Sequence, residues 1–516
     1  MFRSKLLPGV TLLSAICASL AFTQSQQPPA PPATETKASY KRARQVLDAA
    51  IKAMAGEKPL PGMDAVSFQI TGKQYHRNQS PRADGPPDST SFTATLAADF
   101  QRNRLMWERT SSFPGGFDFS NRWIATDQEG TNYNLLRRQF SPLQSVAGFN
   151  DGILRRVPQY MLKSAFDRAA TLRWAGEAQH DGKKYNLVSF ATPTGVVITL
   201  HFDAQTNLLA KYEFLATEPL FGDVVSETAY TGYQSIGGIQ LPTGQVQKLG
   251  GVLVQDVAYS AHAVNALPAG IFDSPGGFAA AAPAGAPAAV SVARLADGVF
   301  LIEGLGGGGY RVLFVEFREY IGVVEAPLNE DTSRTALRLI RETVPNKPIR
   351  FVAITHHHDD HSGGIRAYMA EGITVVTTPG NAPFLRGVIR APFTIQPDAY
   401  ARSGRRGASS DFIENKRAIF TDGHRTLQLL DIGPGPHAEE MLVAWLPREK
   451  ILFQGDLMNR PPDGSLNPAN ETTVHFAEWL KKTALPVEKL VGVHSQPSTM
   501  ADLETMIQMR QQAQAR

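Results

Sequence analysis

The first regular pattern along the chain is a run of apolar residues with helical spacing between Tyr40 and Ala55. One face of this run carries five apolar side chains: Val46, Leu47, Ala50, Ile51 and Met54. The spacing predicts an amphipathic helix. From there to about Tyr259, apolar and polar residues mostly alternate, as they do over Val66–Ile70. Alternation is typical of half-buried strands, so this part predicts a mainly antiparallel β-sheet with one or two helices.

After residue 290, short apolar runs alternate with stretches of helical length. The predicted strands are Val299–Ile302, Val312–Phe317, Ile321–Val324, Phe351–Ile354, Thr374–Val376, Leu427–Ile432, Leu442–Trp445, Ile451–Phe453 and Leu490–Val493. The predicted helices are Thr332–Thr343, Gly364–Ala370, Val474–Lys482 and Met500–Gln512. Strands separated by helices predict an α/β layered domain.

The start of the chain has the pattern of an export signal. Arg3 and Lys5 precede a mostly apolar stretch, Leu6–Phe22. This arrangement predicts a signal peptide over residues 1–21. The alternative is an uncleaved anchor, which is disfavoured because the stretch is short for a membrane span of ~20 residues. The protein is therefore expected to be exported, to the periplasm or beyond, with no stable membrane span after cleavage.

Two segments of linker composition divide the remaining chain. Residues 22–39 include a Pro-rich run and predict a disordered spacer. Residues 274–289 are rich in Ala, Pro and Gly, and such a run buries little surface. The prediction is therefore a β-rich domain over 40–273, a linker over 274–289 and a second domain over 290–516.

Composition narrows the classes of partner. The 516 residues are 42% hydrophobic and 19% charged, which is typical of globular proteins. A formal net charge of +3 argues against a nucleic-acid binder and leaves a small-molecule substrate as the expected partner. Cys17 is the only cysteine, so any metal ligands must be histidines or carboxylates.

The most informative chemical pattern follows the apolar run Phe351–Ile354. His356 and His358 are two residues apart, so in extended backbone they project to the same side and can chelate one ion. Asp360 and His361 come after the chain turns and can face a second ion.

The residues that follow fit a tight turn into a helix. Ser362 is a predicted N-cap for that helix. Gly363 and Gly364 would let the backbone pass close to the site without a side-chain clash. His357 and Asp359, which alternate with the candidate ligands, are interpreted as spacers or outer groups.

The segment carries the pattern H-x-H-x-D-H and resembles the metallo-β-lactamase superfamily. Three later residues stand in that family's order, each at the end of a predicted strand or just after it: His437, Asp456 and His494. The resemblance implies an αββα sandwich for the C-terminal domain.

The resemblance also implies a ligand set for two metal ions. The first ion would be bound by His356, His358 and His437, and the second by Asp360, His361 and His494. Asp456 would bridge them. Nitrogen and carboxylate ligands favour zinc, with iron or manganese as alternatives. Glu325 stands where the superfamily more often has Asp, and we expect it to orient a ligand.

The predicted function is that of an exported dinuclear metal-dependent hydrolase. A metal-bridging hydroxide would attack an ester, lactone, thioester or related bond. Asp456 would offset the charge of the two ions, and Asp360 would handle a proton at the leaving group. Hydrolysis of β-lactams is the alternative, although β-lactamases of this family tend to carry Cys or Ser where this chain has Asp456.

An alternative from another class concerns the first domain. Its later part, around residues 203–207 and 239–242, is similar in layout to the open half-barrels of periplasmic lipoprotein carriers. This similarity favours a lipid or ligand carrier with a regulatory metal domain.

Two segments are predicted to face the substrate, Gly304–Tyr310 and Asn381–Ser409. Tyr310 is a predicted substrate contact. The second segment contains five arginines, which either bind an anionic substrate or form a solvated loop, and charge runs on loops favour solvation. These arginines are Arg386, Arg390, Arg402, Arg405 and Arg406.

Overall fold

A computed structural model describes residues 35–55, 63–113, 117–281, 289–461 and 463–515. The predicted signal peptide lies outside the described residues, as does most of the predicted spacer. Helix α1 spans Glu35–Ala55 and begins ahead of Tyr40, so the last residues of the predicted spacer are helical. Within the described part of the chain, no helix combines the length and apolar character that a membrane crossing requires.

In the described part of the chain, the first sheet has fourteen strands, and neighbouring strands within it are antiparallel except for the pair Gln139–Pro142 and Ala279–Ala280. The strands are β1 (Ala65–His76), β2 (Asp88–Asp99), β3 (Arg104–Phe113), β4 (Phe117–Ala125), β5 (Gly130–Asn134), β6 (Gln139–Pro142), β7 (Arg173–His180), β8 (Lys183–Ala191), β9 (Val197–Asp203), β10 (Leu209–Glu218), β11 (Gly222–Ile236), β12 (Ile239–Leu249), β13 (Val252–Val264) and β14 (Ala279–Ala280). Their spatial order is β14-β6-β5-β4-β3-β2-β1-β13-β12-β11-β10-β9-β8-β7. The first and last long strands therefore meet in the middle, where Val66 lies opposite Val264.

The first sheet packs against three helices, one more than the sequence predicts at most. They are α1, α2 (Val146–Leu154) and α3 (Pro158–Asp167). Ala43, Leu47 and Ala50 of α1 have no exposed surface, as their helical spacing predicts. They share a core with apolar residues of α3 and of strands β8 to β10.

The remaining strands form two further sheets. The seven-stranded sheet runs in the order β15 (Ser291–Ala296), β16 (Val299–Gly304), β17 (Tyr310–Glu316), β18 (Ile321–Val324), β19 (Ile349–Ala353), β20 (Thr374–Thr377) and β21 (Ser410–Phe412). The five-stranded sheet runs in the order β22 (Arg417–Thr421), β23 (Thr426–Asp431), β24 (Leu442–Leu446), β25 (Ile451–Gln454) and β26 (Lys489–Gly492).

Eight α-helices belong to this part of the described chain. They are α4 (Leu305–Gly308), α5 (Glu330–Thr343), α6 (Asp359–Ser362), α7 (Ile365–Ala370), α8 (Ala382–Arg390), α9 (Ala399–Arg402), α10 (Glu471–Thr483) and α11 (Met500–Gln514). The longer ones cover the outer faces of the two sheets, while α4 lies in the β16–β17 turn and α6 at the edge that carries the histidine motif. One core lies between the sheets, a second under α5, α7 and α8, and a third under α10 and α11. This layering confirms the predicted αββα sandwich behind a mainly antiparallel β region.

Two predictions about connecting segments need correction. The start of the predicted linker is not free, because Ala279 and Ala280 pair with Gln139 and Phe140 of β6. The predicted substrate loop Asn381–Ser409 contains helices α8 and α9. Burial of Phe384, Leu385 and Val388 against the core explains α8, whose apolar spacing is interrupted by Arg386.

The first sheet docks on the sandwich through two of its turns. In the turn between β10 and β11, Leu220 is 1% exposed and joins the core under α5, α7 and α8. The Asp223 carboxylate accepts hydrogen bonds from the backbone N–H groups of Thr394 and Ile395, at 2.8 and 3.2 Å. Arg77, in the β1–β2 turn, pairs with Glu218 at 2.5 Å. These contacts hold the β1–β2 turn against the rim of the sandwich.

Candidate metal centre

The candidate ligands lie at one rim of the sandwich because the strands that carry them end there. His356 and His358 follow β19, and His361 lies in the short helix α6. Asp456 comes just after β25 and His494 just after β26, and these two strands are parallel neighbours. Parallel strands present their carboxyl ends at the same edge, so separate stretches of sequence meet at this rim.

The structure brings together all seven predicted ligands in two groups. Within each group, the potential ligand atoms lie within 4.8 Å of one another. The first group contains His356, His358, His437 and Asp456, and the second contains Asp360, His361, Asp456 and His494. The donors are histidine nitrogens and carboxylate oxygens, the set that divalent metal sites use.

Asp456 belongs to both groups, and each of its oxygens faces one of them. Oδ2 lies 3.2 Å from Nε2 of His437 in the first group. Oδ1 lies 3.0 Å from Nε2 of His361 and 3.4 Å from Nε2 of His494 in the second. The carboxylate therefore spans the gap between the groups, as a bridging ligand must.

The outer nitrogens of the rings have protein partners, while the inner nitrogens face each other. Nδ1 of His356 lies 3.0 Å from Oγ1 of Thr355, and Nδ1 of His494 lies 3.1 Å from the carbonyl oxygen of Gly309. The inner Nε2 atoms of His356 and His437 approach to 3.1 Å, and those of His361 and His494 also approach to 3.1 Å. Metal-binding histidines are held in this way, by an acceptor on the nitrogen that does not bind the ion.

Among the described residues, two buried atoms at the centre lack a partner with hydrogen-bond geometry, although one of them has a histidine nitrogen close by. They are Nδ1 of His358 and Oδ1 of Asp456. Unpartnered buried polar atoms are costly unless something satisfies them, and both atoms lie in the groups described above. The residues therefore fit a pair of divalent cations.

The electrostatics of the groups agree with cation binding. Burial, followed by the neighbouring ring of His361, lowers the pKa of His356 well below its usual range, so this imidazole is neutral. Burial alone would raise the pKa of Asp456, but His361 and His494 hold it well below its usual range. Burial alone would lower the pKa of His361, but the carboxylates of Asp456, Asp360 and Glu325 raise it well above its usual range. The second group therefore favours a positive charge, and a metal ion would displace the proton of this ring, because neutral imidazole and ionised carboxylate are the states that bind metals.

The centre is closed on one side and open on the other. His356 and His361 have no exposed surface, and His358 is 1% exposed. The side chains of Asp360 and His494 are each 23% exposed, and that of Asp456 is 20% exposed. A substrate can therefore approach from the side of the second group.

Glu325 supports the second group from beneath. It directly follows β18 and is 0% exposed. Its Oε1 accepts a hydrogen bond from the backbone N–H of Thr355 at 2.9 Å, and its Oε2 lies 3.2 Å from Nδ1 of His361. This geometry agrees with the expectation that Glu325 orients a ligand.

The tight turn after the motif differs in part from prediction. Ser362 is not an N-cap, because it ends α6, and its hydroxyl donates to the carbonyl oxygens of His357 and His358. The helical turn begins earlier than the sequence predicts, at Asp359, so Ser362 lies at its end and not before its start. Gly363 has the predicted close approach, since a Cβ atom there would lie 2.1 Å from the carbonyl oxygen of Leu328.

Tyr310 lies beside the open side of the centre. Its ring packs edge-on against His494, with the ring centroids 4.5 Å apart. Burial, followed by the nearby Asp360 carboxylate, raises the pKa of its hydroxyl well above the usual range. Its position beside the second group is compatible with substrate contact, which stays a prediction.

The arginines after Asn381 do not gather at the centre. Arg402 pairs with Glu330 of α5 at 2.9 Å, and Arg405 donates to the carbonyl oxygen of Ala370. Arg386 and Arg390 are exposed on α8. These positions favour the solvated interpretation over an anion-binding cluster.

Three supporting residues were not predicted from the sequence. The side-chain amide of Gln79 donates to Asp360, and the carbonyl oxygen of Ser80 lies 3.0 Å from Nε2 of His358. Gln454 accepts from the backbone N–H of Leu457 at 2.6 Å and shapes the turn that carries Asp456. Gln454 lies beside a candidate ligand in sequence, whereas nothing near Gln79 and Ser80 points to the centre.

Comparisons with known proteins agree with this geometry. The model of the metallo-beta-lactamase superfamily matches residues 291–494. Comparison with curated protein sequences finds no match.

Several solved structures are similar to part of this chain. A metallo-beta-lactamase from Pontibacter korlensis is 21% identical, with a TM-score of 0.34, over 43% of this chain and 99% of that chain. FIM-1 from Pseudomonas aeruginosa, a metallo-beta-lactamase in a mono-zinc form, is also 21% identical, with a TM-score of 0.32, over 43% of this chain and 96% of that chain. The sequence match and the two groups of ligands confirm the predicted family: residues 291–494 of this chain belong to the metallo-β-lactamase superfamily.

Proposed function

We propose that this protein is an exported hydrolase with two metal ions, most simply zinc, that cleaves esters, lactones, thioesters or related bonds. The observation that carries the proposal is the position of Asp456, whose two oxygens face different groups of histidines. A purely structural zinc site is closed by four protein ligands. Here the second group is partly exposed, which suits a reaction with an incoming substrate.

Each side chain has a distinct part in this proposal. His356, His358 and His437 hold one position, Asp360, His361 and His494 hold the other, and Asp456 fixes the separation between them. When bound, the two ions lower the pKa of water and polarise the bond to be cleaved. Asp360 also lies on the open side, where its side chain is 23% exposed, and its carboxylate would handle a proton at the leaving group.

The bridging residue also bears on the substrate class. By the family resemblance, an aspartate at position 456 is typical of hydrolases acting on esters, lactones and thioesters, whereas β-lactamases tend to carry Cys or Ser. Hydrolysis of β-lactams is therefore the alternative substrate class. Export rests on Arg3, Lys5 and the apolar stretch Leu6–Phe22.

The proposal is tested by counting metals and screening substrates on one sample. We expect about two equivalents of zinc per chain, and turnover of at least one member of a panel of p-nitrophenyl esters, lactones, thioesters and a chromogenic cephalosporin. A chelator should abolish the activity, and added zinc should restore it. Turnover that survives complete removal of metal would contradict the proposal, and turnover of the cephalosporin alone would select the alternative.

A cavity in the first sheet favours a second candidate function, the binding of an apolar ligand. It has a volume of about 410 Å³ and lies between the sheet and helices α2 and α3. Its lining combines apolar residues such as Met161 and Phe190 with charged residues such as Arg104, Lys163 and Asp167. Mostly apolar concave sites of this size suit small ligands. Mass spectrometry of an organic extract of the purified full chain should detect a bound amphiphile, and an empty extract together with no uptake of a fluorescent fatty acid would exclude this function.

A further inference from the structure

The β1–β2 turn of the first sheet reaches across to the metal centre of the sandwich. We propose that this turn is a working part of the centre, in which Gln79 is a positioning residue that holds Asp360 for the second metal ion. The inference rests on the proposed function. It gives the first sheet a role in the chemistry of the sandwich, where family resemblance covers only residues 291–494.

The contact that carries the inference is made by the side-chain amide of Gln79. Its Nε2 donates to Oδ1 of Asp359 at 2.5 Å and to Oδ1 of Asp360 at 2.8 Å. Since both partners are carboxylates, the amide nitrogen rather than the amide oxygen must face them. The two N–H bonds of one amide therefore tie together two neighbouring carboxylates.

This arrangement leaves the other oxygen of Asp360 for the metal position. Oδ2 lies 3.2 Å from Nε2 of His494 and 3.5 Å from Nε2 of His361, inside the second group. With Oδ1 held by Gln79, rotation of the carboxylate away from the group would break a hydrogen bond to a charged acceptor. Hydrogen bonds to a charged acceptor are stronger than those between neutral groups.

Gln79 also counters repulsion between like charges. Asp359 is half-buried and adjoins Asp360 in sequence. Two adjacent carboxylates in such a setting repel each other, and a donor shared between them lowers that cost. The two hydrogen bonds of Gln79 place such a donor between them.

The residue after Gln79 touches the first group. The carbonyl oxygen of Ser80 lies 3.0 Å from Nε2 of His358 and can accept the proton of that nitrogen. The proton is then kept on Nε2. Nδ1, which is buried and has no hydrogen-bond partner in the described part of the chain, is left for the metal position.

The turn is anchored at both ends of this contact. The backbone N–H of Asp359 donates to the carbonyl oxygen of Asn78 at 3.3 Å, and that of Glu439 donates to the carbonyl oxygen of Pro81 at 2.9 Å. Four consecutive residues therefore meet the motif segment and the segment after His437. Contacts from every one of four consecutive residues are not expected of a loose surface contact.

Three variants of the full-length protein test the role of Gln79. Gln79→Leu keeps the approximate size of the side chain and removes both donors. Gln79→Glu keeps the shape but adds a third carboxylate beside Asp359 and Asp360. Gln69→Leu, on the exposed face of β1, is the matched control. Affinity for Zn²⁺ alone is measured by competition with a chromophoric chelator, and the melting temperature of each metal-free variant is recorded.

We expect Gln79→Leu to weaken the second equivalent of zinc by about 10- to 100-fold and to leave the first nearly unchanged, as loss of an outer partner does in other metal sites. The affinity of the Gln79→Glu variant for the second equivalent of zinc should be weaker still. A role in shape alone predicts the opposite order, with Gln79→Glu close to the wild type. Wild-type affinity in both variants, or equal weakening of both equivalents, would overturn the inference.

The same experiment separates this inference from the proposed function. A wild-type protein that binds no zinc would overturn the proposed function and the inference with it. A wild-type protein that binds two equivalents, together with a Gln79→Leu variant that binds them equally well, would overturn the inference alone. Unchanged melting of the metal-free variants would show that any loss is specific to the metal centre.

Discussion

Replacing Asp456 with alanine is expected to lower kcat/KM for any accepted substrate by more than about 100-fold, because even the loss of an outer partner of a metal ligand costs 10- to 100-fold. The reason lies in the geometry of the carboxylate. Its Oδ2 faces His437 and its Oδ1 faces His361 and His494, so the variant removes a ligand from both groups at once. Bound zinc should fall from two equivalents to one or fewer.

The measurement combines elemental analysis with steady-state kinetics on the best substrate of the panel. Asp411→Ala is the matched control, because this aspartate is exposed on β21 of the same sandwich. The control should keep wild-type metal content and turnover. Full turnover by the Asp456→Ala variant would show that the reaction does not use this centre.

Nine strands of the sandwich were predictable from sequence because most of them are largely buried, whereas the more exposed strands β15, β21 and β22 were not predicted. Ile321–Val324 and Leu442–Leu446 have every residue buried, and a continuous apolar run is a signal that local sequence carries. The ligands were predictable for a different reason. They stand in a fixed order at strand ends, so a family resemblance places them without any knowledge of how the strands pair.

The first sheet was predictable only as a class of structure. Alternation indicates strands, but the order of fourteen strands depends on pairs such as Val66 with Val264, which are far apart in sequence. The contacts of Gln79 and Ser80 have the same origin. Asp360 and Gln79 are 281 positions apart, and neither glutamine nor serine is a residue type that marks a metal centre. Local sequence patterns carry no information about contacts between residues so far apart in sequence.

A second large effect is expected for Glu325→Gln, which should weaken zinc binding at the second group by about 10- to 100-fold. The carboxylate accepts from two donors, the backbone N–H of Thr355 through Oε1 and Nδ1 of His361 through Oε2. An amide has one acceptor oxygen and one donor nitrogen. If the oxygen of Gln stays on the Thr355 N–H, its NH₂ group faces Nδ1 of His361.

The ring of His361 then has to change tautomer. Nδ1 must become the acceptor, which moves the proton to Nε2, the atom that lies 3.0 Å from Asp456 in the second group. A protonated nitrogen cannot bind a metal, so the side chain would keep its place and lose its ligand function. Ring ¹⁵N chemical shifts of His361 in the zinc-loaded proteins should report this change, with a metal-bound Nε2 in the wild type and a protonated Nε2 in the variant.

Glu325 is also held in an unusual backbone conformation, with φ of 89°. A non-glycine residue in this sparsely populated region of backbone conformation destabilises the fold by about 1–3 kcal/mol. The contacts of the Glu325 side chain must therefore outweigh that strain. Glu325→Asp keeps the charge with a shorter reach and should retain more zinc affinity than Glu325→Gln. Glu342→Gln, on the exposed face of α5, is the control for loss of a carboxylate. The role of Glu325 in setting the tautomer of His361 requires its buried carboxylate. Equal binding of both equivalents of zinc by Glu325→Gln and Glu342→Gln would therefore contradict that role.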